Sequence, residues 1–147
     1  MVIPMKAWIL VSLIACANAS QAGLGGLPAE LGPQSAASRA NGVSTGLATY
    51  TDVERKLDSG TTIHEYLDAG GTVFAVSWSG PFLPDLRAIL GRHFDTLVAH
   101  AAGRPGAGRS ALRLERADVV IISGGHMRAF EGRAWLPAAA EEVRPLP

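Results

Sequence analysis

The chain has a single cysteine in 147 residues, no surplus of either charge and no apolar run long enough to cross a bilayer. Cys16 lies in the N-terminal segment, so no disulfide can form in the rest of the chain, and stability there must come from packing. Thirteen basic residues balance thirteen acidic ones, which removes the electrostatic reason to expect a nucleic-acid partner. The apolar stretch at residues 7–17 falls short of the roughly 20 residues a spanning helix needs, so no permanent transmembrane anchor is expected. What remains is ordinary globular composition, 48% hydrophobic and 18% charged, at a length that fits one domain.

The first 22 residues, MVIPMKAWILVSLIACANASQA, carry one cation, Lys6, then the apolar stretch, then small polar residues. That pattern is a secretory signal, and it places the mature chain in the periplasm or outside the cell. Small residues at Ala17/Ala19 and at Ser20/Ala22 suit signal peptidase. Leu13-Ile14-Ala15-Cys16 resembles a lipobox, the alternative being an outer-membrane lipoprotein tethered through Cys16. Removal of residues 1–22 takes away Lys6 alone, leaving 12 basic against 13 acidic residues. The mature chain stays near neutral.

Residues 23–47 are rich in Gly, Ala, Ser and Pro without apolar periodicity, and read as a flexible leader. From residue 48 the pattern changes to period two. Strands are expected at 49–57, 61–67 and 72–78, separated by turns at Asp58-Ser59-Gly60 and Asp68-Ala69-Gly70-Gly71. In the third strand Phe74, Val76 and Trp78 should share the core face.

One main amphipathic helix follows, with Pro84 and Asp85 at its start and a stripe of Leu86, Ile89, Leu90, Phe94, Leu97, Val98 and Ala101 facing the sheet. Further strands are expected around Leu112 to Leu114 and 117–123, then a hairpin from Gly124-Gly125 with a second turn at Gly132. The fold class is α+β: an antiparallel sheet of five or six strands packed on one helix, filling residues 48–137, with a tail at 138–147.

Several motifs invite chemistry. GRPGAGRS (residues 103–110) approaches a phosphate loop, but a helix precedes it and Arg109 replaces the lysine. HEYLD (64–68) approaches a zinc-protease pattern, yet alternation makes it a strand, where His64 and Glu65 point to opposite faces. His93 and His100 share a helix side, but nothing in the spacing gathers a metal set, and no metal or cofactor is expected. Ser77 and Ser79 in VSWSGP lack the first glycine of an esterase elbow.

The densest polar and aromatic block is ISGGHMRAFEGRAWLP (122–137). His126, Arg128, Arg133 and Trp135, with Trp78, are the candidate binding residues, since guanidinium forks and indole faces suit an anionic or sugar-like ligand. The competing reading has Phe130 and Trp135 filling the core while the arginines pair locally. Function is therefore expected to be a non-catalytic envelope binding module for an unidentified ligand or exported partner. The alternatives are a small hydrolase using His126 with Ser77, Ser79 or Ser123, and a secretion or assembly accessory.

GTVFAVSWSGPFLPDLRAILGRHF (71–94), SGGHMRAFEGRAWLP (123–137) and the leader AGLGGLP (22–28) resemble the signatures of domain of unknown function 2844. The resemblance covers most of the chain. It implies a small exported bacterial protein with no assigned activity or cofactor, it favours ordinary signal cleavage over lipidation, and it carries no catalytic residues.

Overall fold

The computed structural model describes residues 22–31, 35–45, 48–103 and 112–140. The export segment with Cys16, residues 104–110 of the phosphate-like pattern and the last seven residues lie outside the described residues. The strands are β1 (Ser35–Thr45), β2 (Ala48–Leu57), β3 (Thr62–Leu67), β4 (Val73–Gly80), β5 (Leu112–Glu115), β6 (Val120–His126) and β7 (Ala129–Trp135). They form one sheet in the order β1-β2-β3-β4-β7-β6-β5, with every neighbouring pair antiparallel. The helical run between β4 and β5 consists of α1 (Leu86–Leu90), a 3-10 turn (Gly91–His93) and α2 (Phe94–Ala102), and α3 (Pro137–Ala140) closes the described chain. The architecture is α+β. Six strands follow residue 47, in keeping with the sequence, and the seventh comes from the segment read as leader.

The first two turns form where expected. Gly60 and Gly71 take the left-handed conformation (φ 88° and 79°), and the Asp68 carboxylate accepts hydrogen bonds from the backbone N–H of Gly70 and Thr72. β4 departs from simple alternation. Tyr66 pairs with Ala75 but Leu67 pairs with Val73, so Phe74 is an extra, unopposed residue and β4 bulges there. Val73, Val76 and Trp78 consequently join the core beneath the helices, whereas Phe74 joins Tyr50, Tyr66 and Ala75 on the other face. Phe74 does not share the Val76–Trp78 face as the alternation implied.

The helix is also not continuous. Asp85 caps α1, accepting from the N–H groups of Arg87 and Ala88 at 3.0 and 3.1 Å. At Gly91 the backbone turns left-handed (φ 54°), and three residues of 3-10 geometry shift the phase of the stripe. Ile89, Leu90 and Leu97 are buried as expected, but His93 also faces inward, while Val98 is 49% exposed and Ala101 is exposed.

The cause of the break is the glycine-rich leader. A Cβ at Gly91 would stand 2.7 Å from the carbonyl oxygen of Ala22, and one at Gly23 would stand 2.5 Å from that of Ala88. Backbone is packed on backbone, which only glycine permits. Leu24 N–H donates to Ile89 O, Gly25 N–H to Val73 O, and Val73 N–H back to Gly26 O. Leu24 and Ala29 are then fully enclosed in the main core, where Leu24 contributes about 1.5–3 kcal/mol by burial. The expectation of a flexible leader is corrected: residues 22–31 form an interior wedge, and 35–45 form an edge strand. Low apolar periodicity here reflects close backbone packing.

At the other end the domain runs past residue 137. Leu136 N–H donates to Phe74 O, α3 begins at Pro137, and Ala140 is buried.

Candidate functional site

The helices and the leader cover one face of the sheet. Among the described residues the opposite face is covered only at one end, where Tyr50, Tyr66, Phe74 and Ala75 pack with Trp135 and Ala139. The remainder carries a groove of about 420 Å³ lined by His64, Ser77, Ser79, Ile122, Gly124, Glu131 and Arg133. A second cavity of about 400 Å³ at the β6–β7 hairpin shares Ser79 and Glu131 with it and continues to His126 and Arg128.

Strand register builds this surface, because directly opposed residues share a face. One row across the strands reads Glu54, His64, Ser77, Arg133, Ile122 and Arg113; the next reads Lys56, Thr62, Ser79, Glu131 and Gly124. Every member of the first row except Ile122 is polar or charged. A face sealed by packing would not tolerate that density without pairing.

His64 is held from behind. Its Nδ1 lies 3.0 Å from Asp52 Oδ1, and its ring stacks on Tyr66 at an interplanar angle of 14°. His64 is thus oriented, with a side-chain exposure of 31%. Tyr66 Oη lies 3.4 Å from Ser77 Oγ. Burial pushes the Tyr66 phenol above its usual pKa, against the lowering effect of that contact, so it stays a neutral hydroxyl. Arg133 is exposed and lies over Trp135, its guanidinium carbon 5.7 Å from the ring centroid. Among the described residues no carboxylate lies within ion-pair distance of Arg133 or His126.

The structure therefore separates the residues that the sequence grouped. Arg133 and Trp135 stand together on the open face. Trp78 borders the groove but belongs to the helix-side core: it is 2% exposed, its ring lies over Gly132, and its indole N–H has no acceptor among the described residues. His126 and Arg128 do not share a strand face either. β6 continues through Gly124 and Gly125 to His126, the turn is Met127-Arg128, and Arg128 is the left-handed residue at φ 67°. Gly132 lies within β7, where a Cβ would strike the Trp78 ring, and a Cβ at Gly125 would strike the backbone of Ala129 and Phe130. These glycines serve close approach, and the hairpin turns elsewhere.

Of the serines considered as nucleophiles, Ser123 pairs with Gly132 on the helix side, away from His126. Ser79 lines the same cavity as His126, with no hydrogen bond between them among the described residues. Nor do the described residues include a group of three His, Cys, Asp or Glu able to hold a metal. His100 bonds the carbonyl of Arg113, and His93 is buried beside Arg92 and Asp118. No described helix is long and apolar enough to cross a membrane.

The sequence does not mark His64 and Glu131 as binding residues, and it marks Ser79 only as a candidate nucleophile. Continuing the Leu67–Val73 pairing back along the strand without a bulge would set His64 opposite Val76; the extra residue at Phe74 is what brings it opposite Ser77, so this row is not visible in the sequence. Glu65 was passed over too, although a charged residue between Ile63 and Leu67 on a core face demands a partner.

Comparison with curated proteins and with solved structures returns no match. A family model described as protein of unknown function, DUF2844, matches residues 20–141, and the chain belongs to that family.

Proposed function

We propose that the chain is an exported module of the periplasm or cell envelope that binds a ligand without transforming it, through the uncovered sheet face. The observation that carries this reading is the groove itself. Among the described residues part of one sheet face has no covering layer, and polar side chains line it from His64 to Arg133. The N-terminal signal pattern supports export, and the family match beginning at residue 20, beyond the apolar stretch, supports cleavage ahead of the folded wedge.

Two measurements test it. Fractionation with intact-mass determination should find a soluble mature chain that starts after Ala19, since a start after Ala22 would remove the carbonyl packed on Gly91. A diacylated Cys16 would make it a tethered lipoprotein, and an uncleaved cytoplasmic chain would end the export reading. Amide shifts of labelled mature protein, mixed with soluble envelope extract, should move at Ser77, Ser79, Glu131 and Arg133; shifts confined to the helix side would overturn the site.

A second reading, a small envelope hydrolase, draws on the cavity shared by Ser79 and His126. It requires ester turnover that both Ser79→Ala and His126→Ala abolish. Phe82, Leu83 and Met127, exposed near the same end of the sheet, support the version of the binding reading in which the ligand is an exported protein.

A further inference from the structure

We infer that the groove on the open sheet face is a subsite for one acidic sugar, its carboxylate on Arg133 and Ser77 and its hydroxyls on His64, Ser79 and Glu131. This rests on the binding reading above and names its ligand class.

Adjacent strands lie about 4.8 Å apart, so His64 and Arg133, two strands apart in one row, stand about 10 Å from each other along the backbone with Ser77 midway between them. The Arg133 guanidinium carries five donors in a planar fork, has no carboxylate within reach among the described residues, and is steadied by Trp135. A carboxylate is the group that fork fits, and Ser77 supplies a further donor.

The rest of the groove is not an anion site. Glu131, exposed and in the next row, repels a second negative charge but accepts hydrogen bonds from neutral hydroxyls, as the Ser79 hydroxyl also does. His64, with Nδ1 directed at Asp52, keeps Nε2 for the groove. Ile122 and Gly124 form a low, partly apolar strip on which a ring can lie. One carboxylate, several hydroxyls and an apolar face together describe a sugar acid; inorganic phosphate would meet Glu131 unfavourably, and a simple carboxylate would leave the second row unused. The volume of about 420 Å³ falls in the usual range for a small-molecule site and leaves room for a second sugar unit.

The test titrates the mature protein with D-glucuronate, D-glucose, acetate and inorganic phosphate, read by amide shifts and calorimetry. Glucuronate should bind roughly tenfold or more tightly than each of the other three, with shifts centred on Ser77, Glu131 and Arg133. Arg133→Ala should remove that preference over glucose, and Glu131→Ala the preference over acetate, with the melting temperature of each variant unchanged. Glucose binding as well as glucuronate would overturn the carboxylate contact, and acetate or phosphate binding as well would overturn the sugar contacts. If none of the four binds, the acidic-sugar inference fails. In that case shifts of the same face with envelope extract would still uphold the binding module.

Discussion

Glu65 Oε1 accepts the backbone N–H of Ala29 at 2.7 Å, and the Ala29 carbonyl accepts from Arg55 Nη1 at 2.7 Å, so an ion pair on neighbouring strands holds the leader at both ends of one residue. Arg55 Nε stands 3.1 Å from the other Glu65 oxygen, close enough for ion pairing although off the hydrogen-bond line. Glu65 is fully buried. Removing it strands a guanidinium and a backbone N–H in the core, so Glu65→Ala should cost about 3–5 kcal/mol in urea unfolding. Glu65→Gln keeps an acceptor for Ala29 and should cost clearly less.

The wedge should behave as core. Leu24→Ala should destabilise by about 2–5 kcal/mol. Hydrogen exchange at Leu24 and Gly25, bonded to Ile89 and Val73, should be as slow as in β3 and β4. Rapid exchange there would mean that the leader detaches in solution.

How far the sequence discloses this fold depends on what kind of signal each part uses. β2, β3 and their turns are legible because period two and Asp-Gly turns are local properties. The bulge at Phe74 and the helix break at Gly91 are not, since both arise from long-range partners: the pairing of β3 with β4 and the approach of Ala22. Glycines at 23, 125 and 132 look like turn or linker residues in sequence, and Gly91 like a helix interior, yet here they admit backbone or an indole ring. The site divides the same way. Arg133 and Trp135 are legible as a pair two apart on one strand, whereas the His64–Ser77–Arg133 row requires knowing that β7 inserts between β4 and β6.

Gly132→Ala tests that register. If Gly132 were a hairpin turn, the change would matter little; against the Trp78 ring it should overpack the core and cost about 1–3 kcal/mol, with altered tryptophan fluorescence.

Acid should destabilise the fold through His93. Burial first, then the neighbouring Arg92 charge, lower its pKa below the usual 6.5, while Asp118 pulls the other way. The unfolded chain therefore binds the proton more readily. His93 contributes stability that is present above about pH 6.5 and lost as pH falls from there through its folded value. Glu65 has the opposite sign. Burial raises its pKa above 4.5 despite the Ala29 N–H and Arg55, so its contribution is present below 4.5 and lost as pH rises through the folded value. Urea midpoints across this range should show a slope that His93→Gln flattens, and Glu65→Gln should remove the opposing one.

Arg128 and Arg133, paired as candidates by the sequence, should part company under substitution. Arg128 occupies the left-handed region at φ 67°, a strain of about 1 kcal/mol for a residue with a Cβ, whereas glycine adopts it freely. Arg128→Gly should therefore raise the melting temperature by a few degrees. It should also leave ligand binding in the Ser77 groove intact, because Arg128 lines only the neighbouring cavity. Arg133→Ala should do the reverse: the melting temperature holds, since the side chain is exposed and unpaired among the described residues, and the preference for glucuronate over glucose is lost. Were Arg128→Gly to remove that preference as well, the two cavities would have to be treated as one continuous site reaching the hairpin tip.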